Sequence, residues 1–258
     1  MTGKSRHTSS NFTPKVAGYY CAKTEFRDYY VFSTRSLNLS IIPQYAEFLA
    51  ERGVTGVLVN GTSGEGPSMT VEERKAVAEA WVHAVKSTKQ HLMLQIGGTC
   101  LPNVLELAKH AETIGVDSLL CLPELYFKPT TPKQLVEYLR LVGQAAPKTP
   151  LLYYHIPIFS NVNINIPQFL ESVGDRIPSF VGIKFTNTNL EEATQAFRVN
   201  NKEFAVFLGS DQIMAGAFAQ GMDSAITTTI NLLPELGIGI LKASTAGDIA
   251  KARELQEK

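Results

Sequence analysis

From Ser40 to the C-terminus, short apolar runs and longer amphipathic segments alternate in strict order. The runs are Val54 to Val59, Leu92 to Ile96, Ser118 to Leu122, Leu151 to Ile156, Val181 to Thr186, Ala205 to Leu208 and Ser224 to Thr229. Each is close to continuously apolar. A strand with one face in water alternates apolar with polar residues; a strand covered on both faces does not. The segments between them carry helix signals. Ser40 is placed to cap a helix with Ile42, Tyr45, Ala46 and Leu49 on one face and a stop at Gly53. Thr70-Val71-Glu72-Glu73 reads as a capping box for a helix through about Lys86. A helix carrying Leu101, Val104, Leu105, Ala108 and Ala111 ends at Gly115, and Thr131-Pro132-Lys133-Gln134 opens another. Further helices are expected over Asp211 to Gln220 and, as one piece, over Pro234 to Glu257.

This alternation limits the chain to α/β architectures with parallel strands. The 258 residues suit one (β/α)8 TIM barrel, with seven strands from Val54 onward and one to be found before Ser40. A doubly wound open sheet would normally carry a glycine-rich phosphate motif at its first turn, and none is visible. The best candidate for the first strand is Tyr29-Tyr30-Val31-Phe32, aromatic and β-branched. Residues 1–28 are then an atypical, polar N-terminal segment and residues 29–258 the barrel domain. No linker or low-complexity stretch divides the chain.

Charge is balanced, with 24 basic and 24 acidic side chains, so there is no electrostatic footprint for nucleic acid or an anionic membrane. The three cysteines, Cys21, Cys100 and Cys121, form no C-x-x-C pair and suggest neither a disulfide framework nor a structural zinc site. No apolar stretch is long enough to span a bilayer, and Met1 to Lys15 lacks the apolar centre of a signal peptide. A cytoplasmic location is expected. The sequons at Asn11, Asn38 and Asn60 are then chance matches.

Strand ends are where a parallel barrel carries its chemistry. The strand Phe180-Val181-Gly182-Ile183-Lys184-Phe185-Thr186 holds a lysine among apolar residues. Alternation sends Gly182, Lys184 and Thr186 to one face and Val181, Ile183 and Phe185 to the other. A buried amine has a lowered pKa and can attack a carbonyl; a lysine snorkelling to solvent is the plainer reading. Asn60-Gly61-Thr62-Ser63-Gly64-Glu65-Gly66 offers backbone N–H groups and two hydroxyls in a tight turn. It suits a carboxylate or phosphate, or it is an ordinary glycine-rich connection. Tyr153-Tyr154-His155-Ile156-Pro157 ends another strand. There a tyrosine could relay protons or simply pack, and His155 reads as structural. Asp211, after Leu208-Gly209-Ser210, could cap the next helix, bind hydroxyls, or do both. Thr227-Thr228-Thr229 sets three hydroxyls where a polyol could lie. Only His91 and His155 lie near strand ends, too few ligands for a metal-dependent aldolase, so no metal is expected.

Together these motifs resemble the N-acetylneuraminate lyase/dihydrodipicolinate synthase family of class I lyases. Gly61-Thr62-Ser63-Gly64-Glu65 is similar to the family's pyruvate-carboxylate loop, and Gly182-Ile183-Lys184-Phe185-Thr186 to its Schiff-base strand. Tyr153-Tyr154-His155-Ile156-Pro157 and Val59-Asn60-Gly61-Thr62 resemble the animal sialic-acid lyases. The similarity runs from about Leu39 to the end of the chain. It implies a cytoplasmic homotetramer of carbohydrate metabolism that takes sialic acid and pyruvate as small-molecule partners, with no cofactor. The implied reaction cleaves N-acetylneuraminate to N-acetylmannosamine and pyruvate. Lys184 would form the Schiff base and Tyr154 would move the proton. Thr62 and Ser63 would hold the carboxylate, while Thr186, Gly209, Asp211, Gln212 and Thr228 would face the sugar. Tyr126 would reach the site of a neighbouring subunit.

Three departures bear on that reading. The family usually has glutamate where this chain has Gln212, and G-S-T-Y-N where it has Thr227-Thr228-Thr229-Ile230-Asn231. Its usual first-strand motif is absent, and further helices are expected beyond Lys258. Two alternatives follow: a pyruvate aldolase acting on a different sugar acid, and a catalytically impaired, truncated homologue.

Overall fold

The computed structural model describes the backbone of residues 16–19 and the whole of residues 37–258. Eight parallel strands close into a barrel in sequence order. They are β1 (Val16–Tyr19), β2 (Gly56–Val59), β3 (His91–Gln95), β4 (Ser118–Cys121), β5 (Leu151–His155), β6 (Phe180–Phe185), β7 (Ala205–Leu208) and β8 (Ala225–Ile226). Each pairs with the next, and β1 closes the ring by pairing Val16 with Ala225 and Ala17 with Ile226.

The first strand therefore lies upstream of Tyr29-Tyr30-Val31-Phe32, which falls outside the described residues. The boundary expected at residue 28 or 29 cuts off a strand that belongs to the barrel. Side-chain preference misled here, because a closing strand is selected by backbone pairing on both edges, which most residues supply.

The helices are α1 (Ile42–Glu51), α2 (Val71–Thr88), α3 (Leu101–Ile114), α4 (Pro132–Ala145), α5 (Pro157–Ser160), α6 (Ile166–Val173), α7 (Leu190–Arg198), α8 (Met214–Ala219), α9 (Pro234–Thr245) and α10 (Ile249–Gln256). Thr70 and Glu73 make both bonds of a capping box, and Thr131 and Gln134 make a second. Gly53 and Gly115 end α1 and α3 at φ +83° and +76°, a region that glycine enters without strain.

Three local readings change. Asn38, not Ser40, caps the first helical segment, accepting from the Ser40 N–H at 3.2 Å, because a 3-10 turn precedes α1. The last helix breaks into α9 and α10 at Gly247 (φ +78°), after which Asp248 caps the new helix through the Lys251 N–H at 2.9 Å. The last strand stops at Ile226, and Thr229–Asn231 curls into a 3-10 turn.

Alternation sorts the core into two layers. Leu58, Met93, Leu120, Leu152, Phe207 and Ile226 fill the barrel interior. Their strand neighbours, such as Val57, Leu92, Leu119, Leu151, Val206 and Ala225, pack outward under the helices. One expected orientation fails: Val181 joins the interior. Phe180 pairs with Leu151 and Gly182 with Leu152, so Val181 is an extra residue in the ladder, and its alternation slips there. No helix among the described residues is long and apolar enough to cross a membrane.

Candidate active site

The barrel register sets Lys184 of β6 directly beside Tyr154 of β5, both facing inward near the strands' C-terminal ends. Lys184 is 0% exposed, which removes the snorkelling reading. Its Nζ donates to Tyr154 OH at 3.1 Å and lies 4.3 Å from the centre of the Tyr154 ring. Burial holds the amine well below the ordinary lysine range, with the Asp211 carboxylate opposing that shift. Burial also pushes the Tyr154 phenol up to about 12, against the opposing hydroxyls of Thr62 and Thr186. Burial thus favours the uncharged amine and the uncharged phenol in this pair. Such an amine can attack a carbonyl carbon, and such a phenol can receive a proton while passing its own onward.

Gly182 allows β6 to lie where it does. A Cβ there would stand 2.1 Å from the Ala205 carbonyl oxygen on β7.

Hydroxyls ring the mouth above the pair. Thr62 Oγ1 is 3.0 Å from Tyr154 OH, and Ser63 Oγ is 2.9 Å from Thr228 Oγ1. Thr62 and Ser63 stand on a turn that starts and ends in left-handed conformations, Asn60 at φ 58° and Glu65 at φ 51°. Gly66 closes it so tightly that a Cβ would meet the Asn60 carbonyl oxygen at 2.0 Å.

Arg74, which the sequence reading passed over, braces this turn from below. Its buried guanidinium donates to the carbonyls of Gln95 (2.6 Å) and Gly97 (3.2 Å). Asn60 Nδ2 in turn donates to the Arg74 carbonyl at 3.1 Å, and Gln95 Nε2 to the Asn60 carbonyl at 3.3 Å. A signal was present. Arg74 shares one face of α2 with Val77, Ala78 and Trp81, all buried, and a cation on an apolar face needs partners.

Past the ends of β6 and β7, a pocket of about 280 Å³ is lined by Ile158, Thr186, Gly209, Asp211 and Gln212, among others. A Cβ on Gly209 would fall 1.9 Å from Thr186 Oγ1, so only glycine leaves that hydroxyl its place. Asp211 does not cap α8: its Oδ1 accepts from the Thr229 N–H at 3.2 Å, tying the end of β7 to the turn after β8. Thr62, Gln212 and Thr228 are exposed at the mouth.

Two expected residues stand elsewhere. Tyr126, 73% exposed, lies on the β4–α4 connection against Phe127, away from the pair in this single chain. His155 points outward and stacks on Phe185 with ring centres 5.2 Å apart. Burial lowers it to about 4. No group of three or more His, Cys, Asp or Glu residues among those described could hold a metal ion.

The dihydrodipicolinate synthetase family profile matches residues 32–258. The chain belongs to that family. It is 36% identical to the N-acetylneuraminate lyase of Gallus gallus over 222 residues, 85% of this chain and 72% of that one. Identity to the Homo sapiens N-acetylneuraminate lyase is also 36%, over 85% of this chain and 69% of the human one. The native N-acetylneuraminate lyase of Aliivibrio salmonicida superposes with a TM-score of 0.87 at 32% identity, covering 93% of this chain and 77% of that one. The family match spans every candidate site residue named above and β2 to β8 of the barrel.

Proposed function

We propose that this chain is a class I lyase that cleaves N-acetylneuraminate to N-acetylmannosamine and pyruvate. The observation that carries the reading is the fully buried Lys184 amine, 3.1 Å from Tyr154 OH, in a chain 36% identical to N-acetylneuraminate lyases. Lys184 attacks the keto carbon of the open-chain sugar acid, water leaves, and an iminium forms. Tyr154 takes the proton of the hydroxyl beside the scissile C–C bond and passes its own to Thr62, whose hydroxyl proton moves on to the substrate carboxylate. The bond breaks with its electron pair drawn into the iminium. The aldehyde sugar departs, and the remaining enamine is protonated on carbon and hydrolysed to pyruvate and free Lys184. Thr62 and Ser63 hold the carboxylate and so fix the reacting carbon over the amine. Thr186, Gly209, Asp211, Gln212 and Thr228 face the sugar. In a homotetramer, exposed Tyr126 reaches a neighbour's site.

A second reading, an aldolase for a different sugar acid, is favoured by Gln212 and the Thr227-Thr228-Thr229-Ile230-Asn231 run, both at the sugar side. The KD(P)GA structure from T. tenax, with a TM-score of 0.80 at 26% identity, extends the likeness beyond sialic-acid lyases. Borohydride trapping with pyruvate, followed by mass mapping, tests the mechanism, and N-acetylneuraminate cleavage tests the substrate. An adduct at Lys184 with turnover of N-acetylneuraminate is expected. An adduct at another lysine overturns the mechanism. A Lys184 adduct without that turnover leaves the mechanism and moves the substrate to the second reading.

A further inference from the structure

We propose that Gln256, in the last turn of α10, is a positioning residue that holds the Asp211–Gln212 turn in its binding geometry. The inference rests on the reading above that this turn forms the sugar wall of the site. Gln256 Nε2 donates to the Asp211 carbonyl at 3.0 Å. Its Oε1 accepts from the Ala215 N–H at 2.9 Å. One amide thus ties the first residue of the 3-10 turn Asp211–Ile213 to the start of α8.

The grip supplies something α8 lacks. Its N-cap residue is Ile213, which has no side chain to satisfy the first-turn N–H groups. Ala215 is the second residue of α8, the position whose N–H a Ser or Asp cap would normally take. Gln256 does this from another helix, over 41 residues of sequence. The order it imposes travels along the mouth. Asp211 Oδ1 accepts from Thr229 N–H, and the adjacent Thr228 hydroxyl meets Ser63. Gln256, Asp211, the turn after β8 and the turn after β2 form one chain of contacts. Asp211 and Gln212 also line the pocket past the end of β7. The pair of Lys184 and Tyr154 is positioned by the β5–β6 register, and the contact chain meets it only at its far end, where Thr62 touches Tyr154, and through the field of the Asp211 carboxylate.

The separation dictates the test. Gln256→Ala removes both bonds and should raise KM for N-acetylneuraminate about tenfold, the scale of one lost cap. It should leave the rate of borohydride trapping with pyruvate within about twofold, because pyruvate needs only the amine and the turn after β2, which Asn60, Arg74 and Gln95 brace independently of Gln256. Gln256→Glu keeps an acceptor for Ala215 but, when ionised, sets a carboxylate against the Asp211 carbonyl. Its KM defect should shrink as pH falls and the protonated carboxyl regains a donor. An unchanged KM in Gln256→Ala overturns the proposal. So does an equal loss of trapping and cleavage, which would mark Gln256 as a general stabiliser. Wild-type chain that traps pyruvate but does not cleave N-acetylneuraminate overturns the substrate reading alone. The same variants are then compared in condensation of pyruvate with a panel of sugar aldehydes, judged by the KM of the best acceptor. Wild-type chain that traps no pyruvate overturns both.

Discussion

Lys184 carries both the cost and the chemistry of this barrel. Its amine is fully buried against Tyr154 in the barrel interior, and desolvation holds its pKa well below the ordinary lysine range. A lowered lysine pKa means that the unfolded chain binds the proton more tightly. Lys184 therefore lowers stability at neutral pH, and the deficit closes as pH rises toward the ordinary lysine value. Lys184→Met keeps the volume and removes the amine, so it should abolish the pyruvate adduct and turnover yet raise the thermal midpoint by about 2–4 °C, readable by calorimetry. Tyr154→Phe makes the complementary cut. It keeps the ring and loses the hydroxyl that touches Lys184 and Thr62. A fall in kcat of about 10²–10⁴ with a smaller change in KM is expected in steady-state kinetics. Near-normal kcat would return Tyr154 to a packing role.

At the scale of elements, strand contact depends on single glycines. Gly182 faces Ala205 of β7 so closely that any side chain must part the two strands, and the obstacle is backbone, which cannot rotate away. Gly182→Ala should lose about 3 kcal/mol in urea unfolding, at the upper end for overpacking, and should also slow Schiff-base trapping, because Lys184 rides on the displaced strand. A variant with normal stability and trapping would show that β6 and β7 have slack. The helices follow local chemistry more simply. The capping boxes at Thr70 and Thr131 form as their sequences require, since each bond lies within four residues. The break before α10 also had a local signal in Gly247-Asp248.

Across the whole molecule, desolvation lowers the pKa of three bases: buried Lys184 and His155, and half-buried His91, the last opposed by Asp117. Each binds a proton more readily in the unfolded chain, so each subtracts stability as pH falls below its ordinary value. For His155 the window runs from about 6.5 down to about 4 and corresponds to about 3 kcal/mol. The barrel should therefore be acid-labile. Urea unfolding at pH 7 and pH 4 should show that loss, and His155→Phe should recover much of it; a pH-independent unfolding energy would contradict the shift. Activity should survive EDTA, because the proposed iminium withdraws the electrons itself. Full and reversible loss with a chelator would point to metal chemistry instead.

The alternation of strands and helices from β2 onward, the apolar lysine strand and the two capping boxes follow from residues close in the chain, and each was legible there. The first strand was not, and the break in the last helix, for all its local signal, was not expected. Periodicity and capping are short-range effects, so a linear reading reaches them. The glycine turn with Thr62 and Ser63, and Asp211 after β7, were legible as candidates only, with a plainer reading beside each. Tertiary structure decided the rest. It paired Tyr154 with Lys184 through strand register, and it showed Asp211 bonded to Thr229 instead of to its own helix. It chose Val16–Tyr19 as the closing strand over a more strand-like segment. It also brought Arg74 under the Asn60 turn and Gln256 onto Asp211. These contacts join residues far apart in sequence through hydrogen bonds to backbone groups. Backbone groups are the same at every position, so no local pattern says which of them a distant side chain will meet.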